Sequence, residues 1–177
     1  MAAKSTSNRY GSVAIAIHWS SAMAVILTFV AGFVVAETVP PGQGAPILLL
    51  HITLGLIVFA LTVLRILWWL LADKHPRAPG DQPRWQIWAA QAVHLGLYVL
   101  LVLMASSGIT TLILSGALPT LLSGGPVPDF SALIPRIAHG VMSKILLALF
   151  VMHVGAAIYH QVIRRDHLLA RMGVGRA

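Results

Sequence analysis

Four long runs of apolar residues dominate the chain, and short polar segments separate them. Each run exceeds the roughly 20 residues that an α-helix needs to cross a hydrocarbon layer of about 30 Å. None shows the alternation of a barrel strand, and helices satisfy their own backbone hydrogen bonds in lipid. The pattern predicts an all-α transmembrane four-helix bundle, with residues 1–177 forming a single domain. The predicted spans are about 13–36, 46–72, 86–115 and 136–163.

The segments between the spans are polar or rich in glycine and proline. The N-terminal MAAKSTSNRYGS lacks a small-residue cleavage site after a short apolar core, so we expect the first helix to be retained. Segments 37–45 and 116–135 contain Gly and Pro but few charges. A 20-residue connection in so small a bundle is often functional, although a loose connector explains it equally well.

Composition supports a membrane protein. Hydrophobic residues make up 58% of the chain and charged residues 10%, whereas soluble proteins carry roughly 25% charged residues. The chain has no cysteine, which excludes a disulfide scaffold and a Cys-ligated zinc or iron–sulfur site. The net charge is +7, but the basic residues flank the apolar spans. We therefore expect these basic residues to lie at the surface of the lipid bilayer and not to bind nucleic acid.

Lysine and arginine are distributed unevenly between the two ends of the bundle. Cytoplasmic segments of membrane proteins carry the excess of these residues. Only Arg136 and Lys144 fall toward the end that we call outer, and all five tryptophans lie near the inner interface. We expect a bacterial inner-membrane protein whose termini and 73–85 loop are cytoplasmic. The inner basic residues are Lys4, Arg9, Arg65, Lys74, Arg77, Arg84, Arg164, Arg165, Arg171 and Arg176.

Six of the eight histidines lie within the predicted spans, whereas His75 and His167 lie in solvated segments. An ionisable side chain at membrane depth is costly and usually faces the bundle interior with a partner. One such histidine could simply bind a neighbouring helix through a hydrogen bond. Six favour a cofactor. They are His18, His51, His94, His139, His153 and His160.

A spacing of fourteen residues recurs among these positions. Residues fourteen apart on a helix lie within about 40° of one face and about 21 Å apart along the axis. We expect each helix to present one such residue at an outer level and one at an inner level, as two stacked planar ligands would require. The glycines would leave room for a ring, although chance could also place them. The pairs are His139/His153, His51/Arg65, His18/Gly32 and His94/Gly108.

The outer level contains two histidines, His51 and His139, which suit the axial positions of a six-coordinate haem iron. At the inner level His18, His94 and His153 compete for two positions, and depth alone leaves that choice open. His160 is shallower, only about 6 Å from Arg164 along the helix. Zinc would require Cys or carboxylate ligands, which the spans do not supply. Without a C-x-x-C-H motif, the haem would be b-type.

Several segments carry a specific resemblance. They are RYGSVAIAIHWSSA, LLLHITLGLIVFALTVLRILWW, AVHLGLYVLLVLMASSG and AHGVMSKILLALFVMHVGAAIYHQVIRRDHLLARM. Between Tyr10 and Met172 the chain resembles the bacterial cytochrome b561 family of di-haem membrane proteins. The resemblance implies that His51 and His139 hold an outer haem b, and that His18 and His153 hold an inner haem b.

The same resemblance leaves His94 and His160 unligated near the inner haem. Both are candidates for binding a quinone, and His160 is alternatively an interface residue. Arg65 would bind a haem propionate or a quinone oxygen, or would extend to the inner headgroups. At the outer end Arg136 and Lys144 are candidates for contact with an anionic substrate. Lys144 either extends outward or lies near the outer haem.

Iron with two axial imidazoles has no open position and is suited to electron transfer. Family members that stand alone are similar to superoxide oxidases, which pass electrons from superoxide at the outer face to ubiquinone. We expect this activity, although Glu37 and Asp129 offset the outer positive charge. The alternative is a haem-carrying relay or anchor subunit that binds a dehydrogenase or hydrogenase as its redox partner protein. A haem-free transporter or scaffold is a third possibility.

Overall fold

The computed structural model describes residues 2–77 and 82–175, and these form helices joined by short connections. Arg176 and the middle of the 73–85 loop lie outside the described residues. Two of the long helices end in a π-helical turn, formed by Trp68–Ala72 and His160–Arg164. The helices are α1 (Ser12–Glu37), α2 (Ala45–Leu67), α3 (Arg84–Ser115), α4 (Leu118–Leu122), α5 (Ile134–Tyr159) and α6 (Leu168–Arg171).

Four of these helices, two of them extended by their π-helical turns, are long and apolar enough to cross a membrane. Their bounds lie within two residues of the predicted spans, because uninterrupted apolar runs fix the length of a spanning helix. Throughout the described part of the chain the secondary structure is helical. The expected all-α transmembrane bundle is therefore confirmed. We keep the name inner end for the end of the bundle that carries the described segments before α1 and after α5.

The four spanning helices pack as α1 against α2 and α3 against α5, and α2 joins the two pairs through α3. A central apolar cluster forms around Ala24, Val25 and Val58. Large apolar side chains cover the outside; Leu71, for example, is 80% exposed. Because lipid is as apolar as these side chains, such exposure is the normal state of a membrane bundle.

The outer connection between α3 and α5 is not the loose connector that its composition allowed. It contains α4, which begins with Pro119 in its first turn, where the missing N–H is harmless. Leu121 is only 1% exposed. It packs with Ala45, the first residue of α2, and with Ala117, which precedes α4. The Val127 amide also donates a hydrogen bond to the Gly42 carbonyl at 3.0 Å. This segment therefore forms a cap over the outer end.

An inner cap closes the opposite end and joins three segments that are distant in sequence. The Ser5 amide and hydroxyl donate hydrogen bonds to the Asp73 carboxylate at 2.8–3.1 Å. Arg171 donates to the Asn8 carbonyl at 2.9 Å and to the Arg77 carbonyl at 2.7 Å. Burial opposes ionisation of Asp73, but its hydrogen bonds outweigh this effect, so its pKa lies below the ordinary 3.8.

Candidate functional site

Two histidines on different helices face each other near the outer end. The ring centroids of His51 on α2 and His139 on α5 are 6.1 Å apart. The Nδ1 atom of His51 lies 3.0 Å from the Thr28 carbonyl oxygen of α1. The Nδ1 atom of His139 lies 3.0 Å from the Ser107 hydroxyl of α3. Because Nδ1 is occupied in both rings, Nε2 is the nitrogen that each ring can offer to a metal.

Two glycines make room for these outer imidazoles. A methyl group on Gly32 would lie 2.9 Å from Cε1 of His51, and one on Gly108 would lie 3.4 Å from Cε1 of His139. Both positions belong to the fourteen-residue pattern found in the sequence. The nearest neighbours of these glycines are therefore the histidine rings themselves, and a side chain at Gly32 would displace His51.

Three histidines meet at the inner level. The ring centroids of His18 on α1 and His153 on α5 are 6.1 Å apart, and His94 on α3 lies 5.1 Å from His153. The Nδ1 atom of His18 is buried and has no hydrogen-bond partner. The His94 residue is more accessible than His18 and His153, which are half-buried, although its ring lies against that of His153.

The separation within each pair can be compared with the needs of a metal bound by two imidazoles. With metal–nitrogen bonds of about 2.0–2.1 Å, and each nitrogen about 1.1 Å from its ring centre, two axial rings lie about 6.3 Å apart. His51/His139 and His18/His153 match this value at 6.1 Å, and His94/His153 is about 1 Å too short. Each pair supplies two imidazole nitrogens, which suit a haem iron better than a zinc ion. No group of three or more His, Cys, Asp or Glu residues within the described ranges could hold a metal ion.

One arginine lies at each level. Arg65 interacts electrostatically with His18, His94 and His153, and its guanidinium carbon lies 5.6 Å from the centre of the Tyr98 ring. The Nε atom of Arg65 is buried and finds no hydrogen-bond partner among the described residues. This placement gives Arg65 an unused donor that can bind an anionic oxygen at the inner level.

At the outer end Arg136 interacts electrostatically with His51 and His139. Its guanidinium lies along α5, since a methyl group on Gly140 would lie 3.0 Å from Nη1 of Arg136. Lys144 is exposed on the outside of α5, and within the described ranges it makes no hydrogen bond or ion pair. Arg136 is therefore the outer basic residue that lies beside an imidazole pair.

Near the inner end His160 is paired with a carboxylate. Its Nδ1 atom lies 2.5 Å from Oδ2 of Asp166, and Nε of Arg164 lies 3.8 Å from the same oxygen.

Asp166 was missed in the sequence because the tail after the last span was treated as solvated. Thr28 and Ser107 were missed as well. A polar residue in a spanning helix near the level of a histidine is the only sequence signal that could have indicated them.

The fold and the facing histidines define a class, the multi-pass membrane cytochromes whose helices present imidazole pairs within the bilayer. The chain matches the sequence profile of prokaryotic cytochrome b561 over residues 9–175, and it belongs to this family. The resemblance seen in the sequence is confirmed. Membrane electron transfer through b-type haem follows from this membership.

Two curated relatives come from Escherichia coli (strain K12). Cytochrome b561 homolog 1 is 28% identical over 177 residues, which cover 93% of this chain and 97% of the relative. Cytochrome b561 homolog 2 is 30% identical over 183 residues, which cover 97% of this chain and 95% of the relative. No solved structure matches.

Proposed function

We propose that this cytochrome holds two b-type haems and transfers electrons from superoxide at the outer face to ubiquinone near the inner end. The observation that carries the proposal is the presence of two imidazole pairs, each 6.1 Å apart, at two depths of one bundle. The two levels are fourteen residues apart on α5, or about 21 Å along its axis. In this proposal the inner end faces the cytoplasm of a bacterium.

His51 and His139 would hold the outer haem, and His18 and His153 would hold the inner one. Haem iron held by two imidazoles would supply reversible one-electron transfer. The chain orients the outer ligands, since Nδ1–H of His51 donates to the Thr28 carbonyl and Nδ1–H of His139 donates to the Ser107 hydroxyl. Such bonds fix the ring orientation and the ligating nitrogen.

Arginines support both levels. Arg136 would bind a haem propionate, and Arg65 would bind either a propionate of the inner haem or a quinone oxygen, because a guanidinium forms strong hydrogen bonds with such oxygens. Arg136 would also attract superoxide toward the outer haem edge. Lys144 lies on the outside of α5, so we assign this steering to Arg136 alone.

The quinone site is proposed near the inner haem. His160 lies seven residues beyond His153, which places it about 10 Å closer to the inner end and about 20° from the same helical face. His94 is accessible and its ring lies 5.1 Å from that of His153, so a quinone bound at this level would contact it. These two histidines, together with the unpaired Nε of Arg65, can bind the two carbonyl oxygens of a quinone.

One observation favours a second candidate function, that of a relay or anchor subunit. Lys144 carries a charge on the outside of α5, about 15 Å from the helix start at Ile134. Charged residues at such depth usually face a protein partner or a water-filled space. A membrane subunit of a dehydrogenase or hydrogenase would supply such a partner.

The test begins with the absorption spectrum and the haem-to-protein ratio of protein purified in mild detergent. Two haems per chain and rapid reduction of the haems by superoxide, followed by reoxidation with ubiquinone, would support the proposal. A colourless protein would refute it. Haems that superoxide does not reduce, together with co-purification of a large redox subunit in equal amount, would favour the relay function.

A further inference from the structure

A histidine and a carboxylate form a close pair at the inner end, outside the two imidazole levels. Nδ1 of His160 and Oδ2 of Asp166 are 2.5 Å apart, and their side chains are only 14% and 12% exposed. Oδ1 of Asp166 is buried without a hydrogen-bond partner. An almost buried carboxylate is costly unless a charged or polar group compensates it, and His160 is its closest partner.

The backbone adopts an unusual course to form this pair. α5 ends in the π-helical turn His160–Arg164, and π-helical turns are frequent at functional sites. Arg165 and His167 then adopt φ angles of 54° and 56°, the only positive values for non-glycine residues in the described chain. Such a conformation is unfavourable for a residue with a side chain and persists only where the surroundings impose it. The two left-handed residues return Asp166 to the end of α5.

Asp166 also lines a surface cavity of about 670 Å³ at the inner end. Asn8, Arg9 and Gly175 line the same cavity and are exposed, so water enters it from the inner end. Other charged or titratable groups surround the pair. They are Arg164 at 3.8 Å from Oδ2 of Asp166, Tyr159 with its ring centre 5.7 Å from that of His160, and Arg9, His167 and Arg171 around the cavity.

We propose that His160 donates the protons of quinone reduction and that Asp166 is the residue that positions it; this inference rests on the quinone reduction proposed above. His160 is placed between the inner imidazole level and the cavity, so it connects the site of electron supply with water. When His160 is protonated, Asp166 completes an ion pair with it. The geometry resembles the general arrangement in which a carboxylate orients an imidazole that transfers protons through its other nitrogen.

The reaction is balanced as follows. Two electrons from the donor at the outer face and two protons convert a quinone into a quinol. For each proton, the Nε2–H bond of protonated His160 breaks and a quinone O–H bond forms. His160 is left neutral, with its Nδ1–H still donated to Asp166, and a proton from the cavity water restores the charged ring.

The test uses the full chain with its haems, reduced beforehand and mixed in a stopped-flow spectrophotometer with one of two oxidants. Decylubiquinone requires protons, whereas ferricyanide accepts electrons without them. With decylubiquinone we expect His160→Gln to lower the maximal rate of haem reoxidation by about 100-fold, the lower end of general acid catalysis. We expect Asp166→Asn to lower it by about tenfold without raising the half-saturating quinone concentration.

Ferricyanide rates should be unchanged in both variants. Asp129→Asn is the matched control, because Asp129 is exposed in the outer segment and, among the described residues, its carboxylate bonds only Ser131. Asp166→Glu keeps the carboxylate and should recover most of the maximal rate. This variant keeps the inference testable if Asp166→Asn loses haem.

Three results would overturn the inference. Wild-type rates in Asp166→Asn would do so, as would a parallel loss with both oxidants or a failure of Asp166→Glu to recover the rate. If ferricyanide but not decylubiquinone oxidises the wild-type protein, the proposed quinone reduction itself fails. The proton-donor inference fails in a different way, in which decylubiquinone oxidises the wild-type protein and both variants at equal rates.

Discussion

The hydroxyl of Ser107 provides a sharp test of the outer site. Ser107 is 9% exposed, it donates to the Met104 carbonyl at 2.9 Å, and its oxygen lies 3.0 Å from Nδ1 of His139. Ser107→Ala removes the hydroxyl that accepts from Nδ1–H and leaves the Met104 carbonyl as the remaining acceptor beside it. Loss of one such hydrogen bond costs about 0.5–1.5 kcal/mol. Loss of an outer-shell partner of a metal-bound histidine typically lowers metal affinity by 10–100-fold, which is about 1.4–2.8 kcal/mol.

The two ranges meet near about 1.4 kcal/mol, so we expect haem to leave the outer site about tenfold faster in Ser107→Ala. The assay is transfer of haem from the detergent-solubilised protein to excess apomyoglobin, which separates a fast and a slow site by their kinetic phases. The inner phase should not change. Ser106→Ala is the matched control, because the neighbouring hydroxyl is exposed and bonds only the Val102 carbonyl. Equal rates in the two variants, or acceleration of both phases, would refute the reasoning.

Four further predictions concern other parts of the molecule. His51→Ala and His139→Ala should each remove one haem and keep the inner one, as haem quantification would show. His94→Ala should keep both haems and change only the quinone kinetics; haem loss would make His94 an inner ligand. Arg65→Ala should lower the reduction potential of the inner haem in a redox titration by about 70 mV. This is the effect of a unit charge about 10 Å away at an effective dielectric constant of about 20. The reduction potential of the outer haem should fall less. The lowered pKa of Asp73 means that its contribution to stability is present above pH 3.8 and is lost as the pH falls through the lower, folded-state value. Asp73→Asn at neutral pH should therefore expose the N-terminal segment to protease, and unchanged cleavage would contradict this.

The spans and the histidine levels could be predicted because both depend on regular repetition. An apolar run fixes the length of a spanning helix, and a fixed rise per residue converts the distance between His139 and His153 into a difference in depth. The sequence also indicated that the outer level contains two histidines and the inner level three. It did not decide among the three, because the separation of rings on different helices depends on how the helices pack.

The partners of the histidines were out of reach for the same reason. Nothing local connects Thr28 with His51 or Ser107 with His139, since each bond crosses between helices. Asp166 is only six residues from His160, yet a regular helix would carry it away from that ring. A π-helical turn and two left-handed residues are needed, and neither is encoded by a hydrophobic pattern.

The inner cap has a consequence for how the molecule is made. Trp19 donates to the Met172 carbonyl and Arg171 donates to the Asn8 carbonyl, so these bonds join residues more than 150 positions apart. The Ser5–Asp73 bonds can form once the second spanning helix is in place, whereas the bonds of Trp19 and Asn8 need the segment that follows the fourth. The inner cap is therefore completed in two steps, and the second step comes only at the end of synthesis.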